Sequence, residues 1–184
     1  MASARILGRD TVLKGDWISE CGRAGYWISQ TSTSTLTAIP SWLTITLESE
    51  LGWFSDSNDT NLQSPDGSGY LSRVARAAAN TAGAIVSFRF VADRPCVIST
   101  YFGGFNNVVR EGSLTWLDMD GLTLDAVSES HTSGLWSRAV IDGEVRLRIV
   151  QLANPAFYVS GLFFDPWLPS STGLSQGFFG HTVT

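Results

Sequence analysis

The feature that most constrains this chain is its period-two alternation of apolar and polar residues, broken at short intervals by turn residues. Ile85-Val86-Ser87-Phe88-Arg89-Phe90 puts Val86, Phe88 and Phe90 on one side and Ser87 and Arg89 on the other. Trp42 to Leu47 does the same with Leu43, Ile45 and Leu47, and Val145 to Val150 with Val145, Leu147 and Ile149. Such alternation matches a pleated strand with one wet face, not a helix. Further strands are predicted over Cys96–Phe102, Leu114–Leu117, Leu122–Val127, Trp136–Ile141 and Phe157–Phe164. Hairpin turns are predicted at Asp118-Met119-Asp120-Gly121 and Asp142-Gly143-Glu144, and a turn at Asp93-Arg94-Pro95. Gly161 inside the last strand predicts a bulge or a close backbone approach.

Short strands with turn signals every few residues predict an all-β chain, an antiparallel β-sandwich of the jelly-roll kind. Ser72 to Ala79 is the one segment that could be a helix, and it reads equally well as a strand entry. Gln30–Thr37, Asp56–Gly69 and Pro166–Thr184 read as irregular. At 184 residues the chain suits one sandwich domain over residues 1–167, followed by a tail over residues 168–184.

Charge narrows the partners. The net charge is −5 and only 16% of residues are charged, against 43% hydrophobic. There is no run of Lys or Arg to neutralise phosphates, so neither nucleic acid nor an anionic membrane is expected as a partner. No apolar stretch approaches the roughly 20 residues that span a bilayer. The N-terminal residues lack a secretory h-region, so synthesis in the host cytoplasm is expected. Cys21 and Cys96 are then read as free thiols, with a disulfide left open.

A catalytic reading finds little to stand on. His131 and His181 are the only histidines, and both lie in Ser/Thr/Gly-rich surroundings, His131 in an apparent loop. No pair of acids is singled out for glycoside cleavage. No enzyme activity and no cofactor are expected. Asp118, Asp120 and Asp125, and separately Asp56, Asn58 and Asp59, resemble fragments of an oxygen-ligand calcium loop, but neither set carries the full ligand spacing. No metal is expected, and these acids are the calcium candidates.

Seven Trp in 184 residues is high. Trp17, Trp27, Trp42, Trp53, Trp116, Trp136 and Trp167 are spread along the chain. Flat rings stack on the C–H faces of pyranoses, and neighbouring amides and acids bind the hydroxyls. Most such rings serve packing instead. The candidate glycan-facing set is Phe105, Asn106 and Asn107 in one loop, with Tyr26 and Trp27. Phe178 and Phe179, adjacent in the tail, are read as a docking element for the chain's own domain or a neighbouring subunit.

Gly15-Asp16-Trp17, Cys21-Gly22-Arg23-Ala24-Gly25-Tyr26 and the closing Ser160-Gly161-Leu162-Phe163-Phe164-Asp165 together resemble a family of galactose-binding-like jelly-roll modules. The family's pattern opens with Gly-Asn-Trp and Tyr-Gly-x-Asp-Gly-Tyr and closes with Ser-Gly-Leu-Phe-Phe-Asp. The resemblance runs from about Asp10 to Asp165. It implies a carbohydrate-binding sandwich of the sort attached to bacterial glycoside hydrolases and found among phage virion proteins. Cys21 stands where the family has an aromatic residue, Ala24 where it has Asp, and Gly103-Gly104-Phe105 where it tends to have Asp-Trp.

The function expected is a non-catalytic phage virion structural protein, a head decoration or a tail or baseplate accessory. Its expected partners are other virion proteins or copies of itself, with cell-surface glycans as a further contact. The alternative is a glycan-binding accessory module of a glycoside hydrolase or adhesin.

Overall fold

A computed structural model describes residues 1–13, 17–29, 35–49, 60–66, 70–72, 76–77, 82–103, 108–153 and 157–168. Its strands, in chain order, are β1 (Ser3–Asp10), β2 (Gly25–Ser29), β3 (Thr35–Ala38), β4 (Leu43–Ser49), β5 (Thr60–Gln63), β6 (Tyr70–Ser72), β7 (Arg76–Ala77), β8 (Ile85–Gly103), β9 (Arg110–Leu117), β10 (Thr123–His131), β11 (Leu135–Gln151) and β12 (Tyr158–Pro166). Every pairing is antiparallel. No helix occurs among the described residues, and the helix-or-strand segment Ser72 to Ala79 holds the last residue of β6 and the whole of β7. Among the described residues no helix is long and apolar enough to cross a membrane.

Two long strands make the sandwich. The first half of β8 lies between β4 and the second half of β11, which continues through β9 to β10. The second half of β8 lies between the first half of β11 and β12, which continues through β2 to β3, with β1 on the far side of β11. The two halves thus belong to two sheets, and both strands cross from one sheet to the other at the same level. At that corner Ile141 pairs with Cys96 and Gly143 with Ala92. Asp93, Arg94 and Pro95 therefore bulge opposite the single residue Asp142.

This corrects the turns predicted at Asp93-Arg94-Pro95 and Asp142-Gly143-Glu144. Gly143 adopts φ 74°, as an Asp-Gly hairpin would require, but it bends a continuous strand instead of reversing it. Pro95, which has no N–H to give a ladder, sits in the unpaired part of the bulge. The third turn is a true hairpin. The Asp118 carbonyl accepts the Gly121 N–H at 3.2 Å, Asp118 N–H donates to the Leu122 carbonyl at 3.0 Å, and Gly121 has φ 88°. Its returning strand runs on to His131, so His131 is a strand residue and not a loop residue. Residues 35–37, read as irregular, belong to β3, and residues 60–63 to β5. The bulge read from Gly161 is present, as a register shift between Val159 and Gly161.

Two apolar layers result. The main core between the sheets includes Phe88, Phe90, Trp116, Leu147, Phe102 and Phe164. A second cluster, Trp17, Cys21, Ile28, Tyr101, Trp136 and Phe163, lies on the other side of β12, β8 and β11. It exists because the segment leading from β1 to β2 folds over that sheet and brings Trp17 down on it. Trp17 lies 4.7 Å from the Phe163 ring and 5.5 Å from Tyr26, and Trp136 lies 4.7 Å from Tyr101. Trp136 is fully buried although it faces away from the main core.

Candidate functional site

The two sequence motifs that carried the family resemblance meet in space. The Asp165 carboxylate, 9% exposed, accepts the Gly22 N–H on Oδ2 and the Arg23 N–H on Oδ1, each at 2.8 Å. The Phe164 carbonyl accepts the Ala24 N–H at 3.0 Å, and Phe163 pairs with Tyr26. The closing Phe-Phe-Asp thus anchors the segment that carries Trp17. Cys21 lies within this segment, its side chain buried. Burial, and then the Asp165 charge, push its thiol well above the usual range. Burial pushes Cys96 up to about 12. Both are free thiols with little thiolate character near neutrality.

The glycan candidates do not converge. Tyr26 and Trp27 are successive strand residues, so their side chains leave opposite faces of the sheet. Tyr26 is half-buried against Trp17, whereas Trp27 is 8% exposed and packs edge-on against Phe88 at 5.2 Å inside the main core. Trp27 therefore offers no ring to a ligand. Phe105, Asn106 and Asn107 lie outside the described residues, as do Phe178, Phe179, His181, Trp53, Asp56, Asn58 and Asp59.

The calcium candidates have other work. Asp118 Oδ1 accepts the N–H groups of Asp120 (3.0 Å) and Leu122 (2.8 Å), which closes the hairpin. Asp125 spends Oδ2 on the Ile6 N–H at 2.7 Å and Oδ1 on Ala126 N–H at 2.8 Å, which ties β1 to β10 across the sandwich edge. Asp120 sits in the exposed turn. Among the described residues no three His, Cys, Asp or Glu side chains gather closely enough to hold a metal ion.

His131 is 6% exposed. Its Nδ1 accepts the Gly134 N–H at 3.2 Å, its Nε2 is buried with no hydrogen-bond partner, and its ring meets Phe157 edge-on at 5.3 Å. Burial, reinforced by Arg110 across the strand pair, lowers its pKa to about 4. It is thus a neutral imidazole packed into the end of the sandwich. The string Gly173-Leu174-Ser175-Gln176-Gly177 has the spacing of a nucleophile elbow, but an elbow needs a strand-to-helix turn, and this string lies outside the described residues.

A pH dependence follows from His131. Between its unfolded value of 6.5 and its folded value of about 4, the unfolded chain takes up a proton that the folded chain refuses. The resulting stability is complete above pH 6.5 and is lost as the pH falls towards 4, roughly 3 kcal/mol in all. Urea unfolding of wild type and His131→Gln at pH 7 and pH 4.5 checks this. The wild type is expected to lose more stability on acidification than the variant, and equal losses would contradict it.

One surface stands out from this inventory. Of the described tryptophans, Trp17, Trp27, Trp116 and Trp136 are buried, and only Trp42 and Trp167 are partly in solvent. Both flank the bulge of β8. The Trp42 carbonyl accepts the Asp93 N–H at 3.0 Å, and the Trp167 N–H donates to the Pro95 carbonyl at 3.2 Å. Arg94, exposed, places its guanidinium carbon 4.7 Å above the Trp42 ring. Sequence reading counted both indoles but did not pair them. The available signal was that each follows a proline at a strand boundary, in Pro40-Ser41-Trp42 and Pro166-Trp167.

No protein-family model matches this sequence, and no curated protein does. Among solved structures the chain is similar to a family 35 carbohydrate-binding module from Cellvibrio japonicus, at 16% identity and a TM-score of 0.42, covering 67% of this chain and 92% of the module. It is similar to a second family 35 module, solved with a disaccharide containing glucuronic acid, at 16% identity and a TM-score of 0.42, covering 66% and 91%. It also matches the enzymatically active domain of tailspike protein 4 from bacteriophage CBA120, at 13% identity and a TM-score of 0.34, covering 82% of this chain and 20% of that one. The class is an antiparallel β-sandwich, which this chain's own strand pairings define.

Proposed function

We propose that this chain is a non-catalytic structural component of a phage virion, a head decoration or a tail or baseplate accessory, built on a sandwich of the carbohydrate-binding-module type. The observation that carries the assembly reading is a group of aliphatic side chains left in water at one end. Val108, Val109 and Leu152 are 41%, 51% and 47% exposed. The Leu152 N–H donates to the Glu111 carbonyl at 2.9 Å, which sets the end of β11 beside the start of β9. Contiguous apolar exposure marks an interaction surface, and we read these three side chains, brought near one another by the Leu152–Glu111 bond, as such a patch. Low charge density supports the same reading, because weakly charged surfaces associate readily.

The second reading, a glycan-binding accessory module, is favoured by the two partly buried indoles, Trp42 and Trp167, that flank the bulge at the opposite end. The two readings are compatible in one molecule, with one end docking and the other touching glycans.

Light scattering after size exclusion separates the parts. The full chain is expected to elute above the mass of one copy. Val109→Asp with Leu152→Asp is expected to reduce it to a single copy by placing charge in a desolvated contact. Truncation after Leu168 tests the tail: if Phe178 and Phe179 dock on a neighbour, the truncated chain loses mass as well. A double variant with the wild-type mass would overturn the role of Val109 and Leu152.

A further inference from the structure

We infer that the corner where β8 and β11 change sheets is a glycan-contact site, with Trp167 as a stacking platform and Arg94, held on Trp42, as its hydrogen-bonding partner. The inference deepens the glycan part of the proposed function and rests on that reading. The chain spends most of its tryptophans on packing. Of the described tryptophans, the two that are not buried, Trp42 just before β4 and Trp167 just after β12, have their backbones hydrogen-bonded to the same three-residue bulge, Trp42 through the Asp93 N–H and Trp167 through the Pro95 carbonyl.

The chemistry suits a pyranose. An indole takes the apolar C–H face of the ring, and a nearby donor and acceptor take the hydroxyls. Arg94 stacked on Trp42 keeps the N–H edge of its planar guanidinium for acceptors, and the stack restricts its rotamers, which lowers the entropic cost of a bond. Asp93, exposed beside it, supplies the acceptor. The anchoring is rigid, because the bulge is fixed on one side by the Leu43–Ala92 pair and on the other by the Pro166–Cys96 pair.

Native affinity gels cast with xylan, dextran or pectin test this on the full chain. At least one polysaccharide is expected to retard the wild type. Trp167→Ala and Arg94→Ala are each expected to weaken that retardation about tenfold, the scale of one stacking or charge-assisted contact. Trp167→Tyr is expected to restore most of it, which a merely structural loss would not do. Met119→Ala, at the exposed β9–β10 turn, serves as the unchanged control. If no polysaccharide retards the wild type, the glycan reading fails and the inference with it. If retardation persists in both alanine variants, the inference alone is wrong.

Discussion

Asp165→Ala is expected to destabilise the protein by roughly 3–5 kcal/mol, because two charge-assisted hydrogen bonds disappear and leave backbone donors unpaired. The Gly22 N–H it abandons is buried, so water cannot replace the carboxylate there without opening the segment. The loss would spread. Gly22 is held at φ 72° with Phe163 and Trp17 so close that an added Cβ would lie 3.0 and 3.1 Å from them. Releasing this turn therefore loosens the lid over Tyr101, Trp136 and Phe163. Asp165→Asn keeps one acceptor and sets an NH2 group against the other N–H, so it should fall between wild type and alanine. Urea unfolding gives the energies, and near-ultraviolet dichroism reports the aromatic layer. An alanine variant within about 0.5 kcal/mol of wild type, the range of an ordinary surface change, would show that the clamp does not hold the motifs together.

Gly25→Ala is expected to be as damaging or worse. An added Cβ would stand 2.0 Å from the Ala38 carbonyl oxygen and 3.0 Å from Pro40 Cδ. The obstacle is backbone, so no side-chain rotation relieves it. β2 is fixed between β12, through the Phe164–Gly25 pair, and β3, through the Tyr26–Ala38 pair. The variant must break one of these ladders, a cost of about 3 kcal/mol or more on the scale of severe core overpacking. Gly121→Ala is the contrast. Open space surrounds Gly121, so only its φ of 88° opposes the methyl group, and about 1 kcal/mol is expected. Equal stabilities for the two variants would mean that close approach plays no part at Gly25.

What could be read from the sequence was the strand content where one face is wet and the other dry. β4 and the first half of β8 show this alternation openly. β2 does not, because Trp27 enters the main core while Ile28 enters the layer beneath Trp17. β1 hides for a different reason: its pairing register shifts between Ile6 and Gly8, which interrupts the period. Asp93-Arg94-Pro95 and Asp142-Gly143-Glu144 were misread because a bulge uses the same Gly, Pro and Asp chemistry as a hairpin, and only the partner strand tells them apart. The site was less legible still. Strand alternation would place Trp136 at the surface, and it is the Asp165-anchored segment that buries it. Which indoles remain in water depends on long-range packing: Trp136 is covered by that segment, and Trp27 is taken into the main core against Phe88, so Trp27 offers no ring to a ligand and the shared anchoring of Trp42 and Trp167 on the bulge went unseen.

We propose that this sandwich works as an assembled component rather than as a solitary binder. Sedimentation velocity of the full wild-type chain over a wide concentration range tests it most directly. A species heavier than one 19.9 kDa copy, growing with concentration, is the result expected. A single 19.9 kDa species at every concentration, in a protein that still binds polysaccharide, would contradict assembly and leave the glycan-binding module standing.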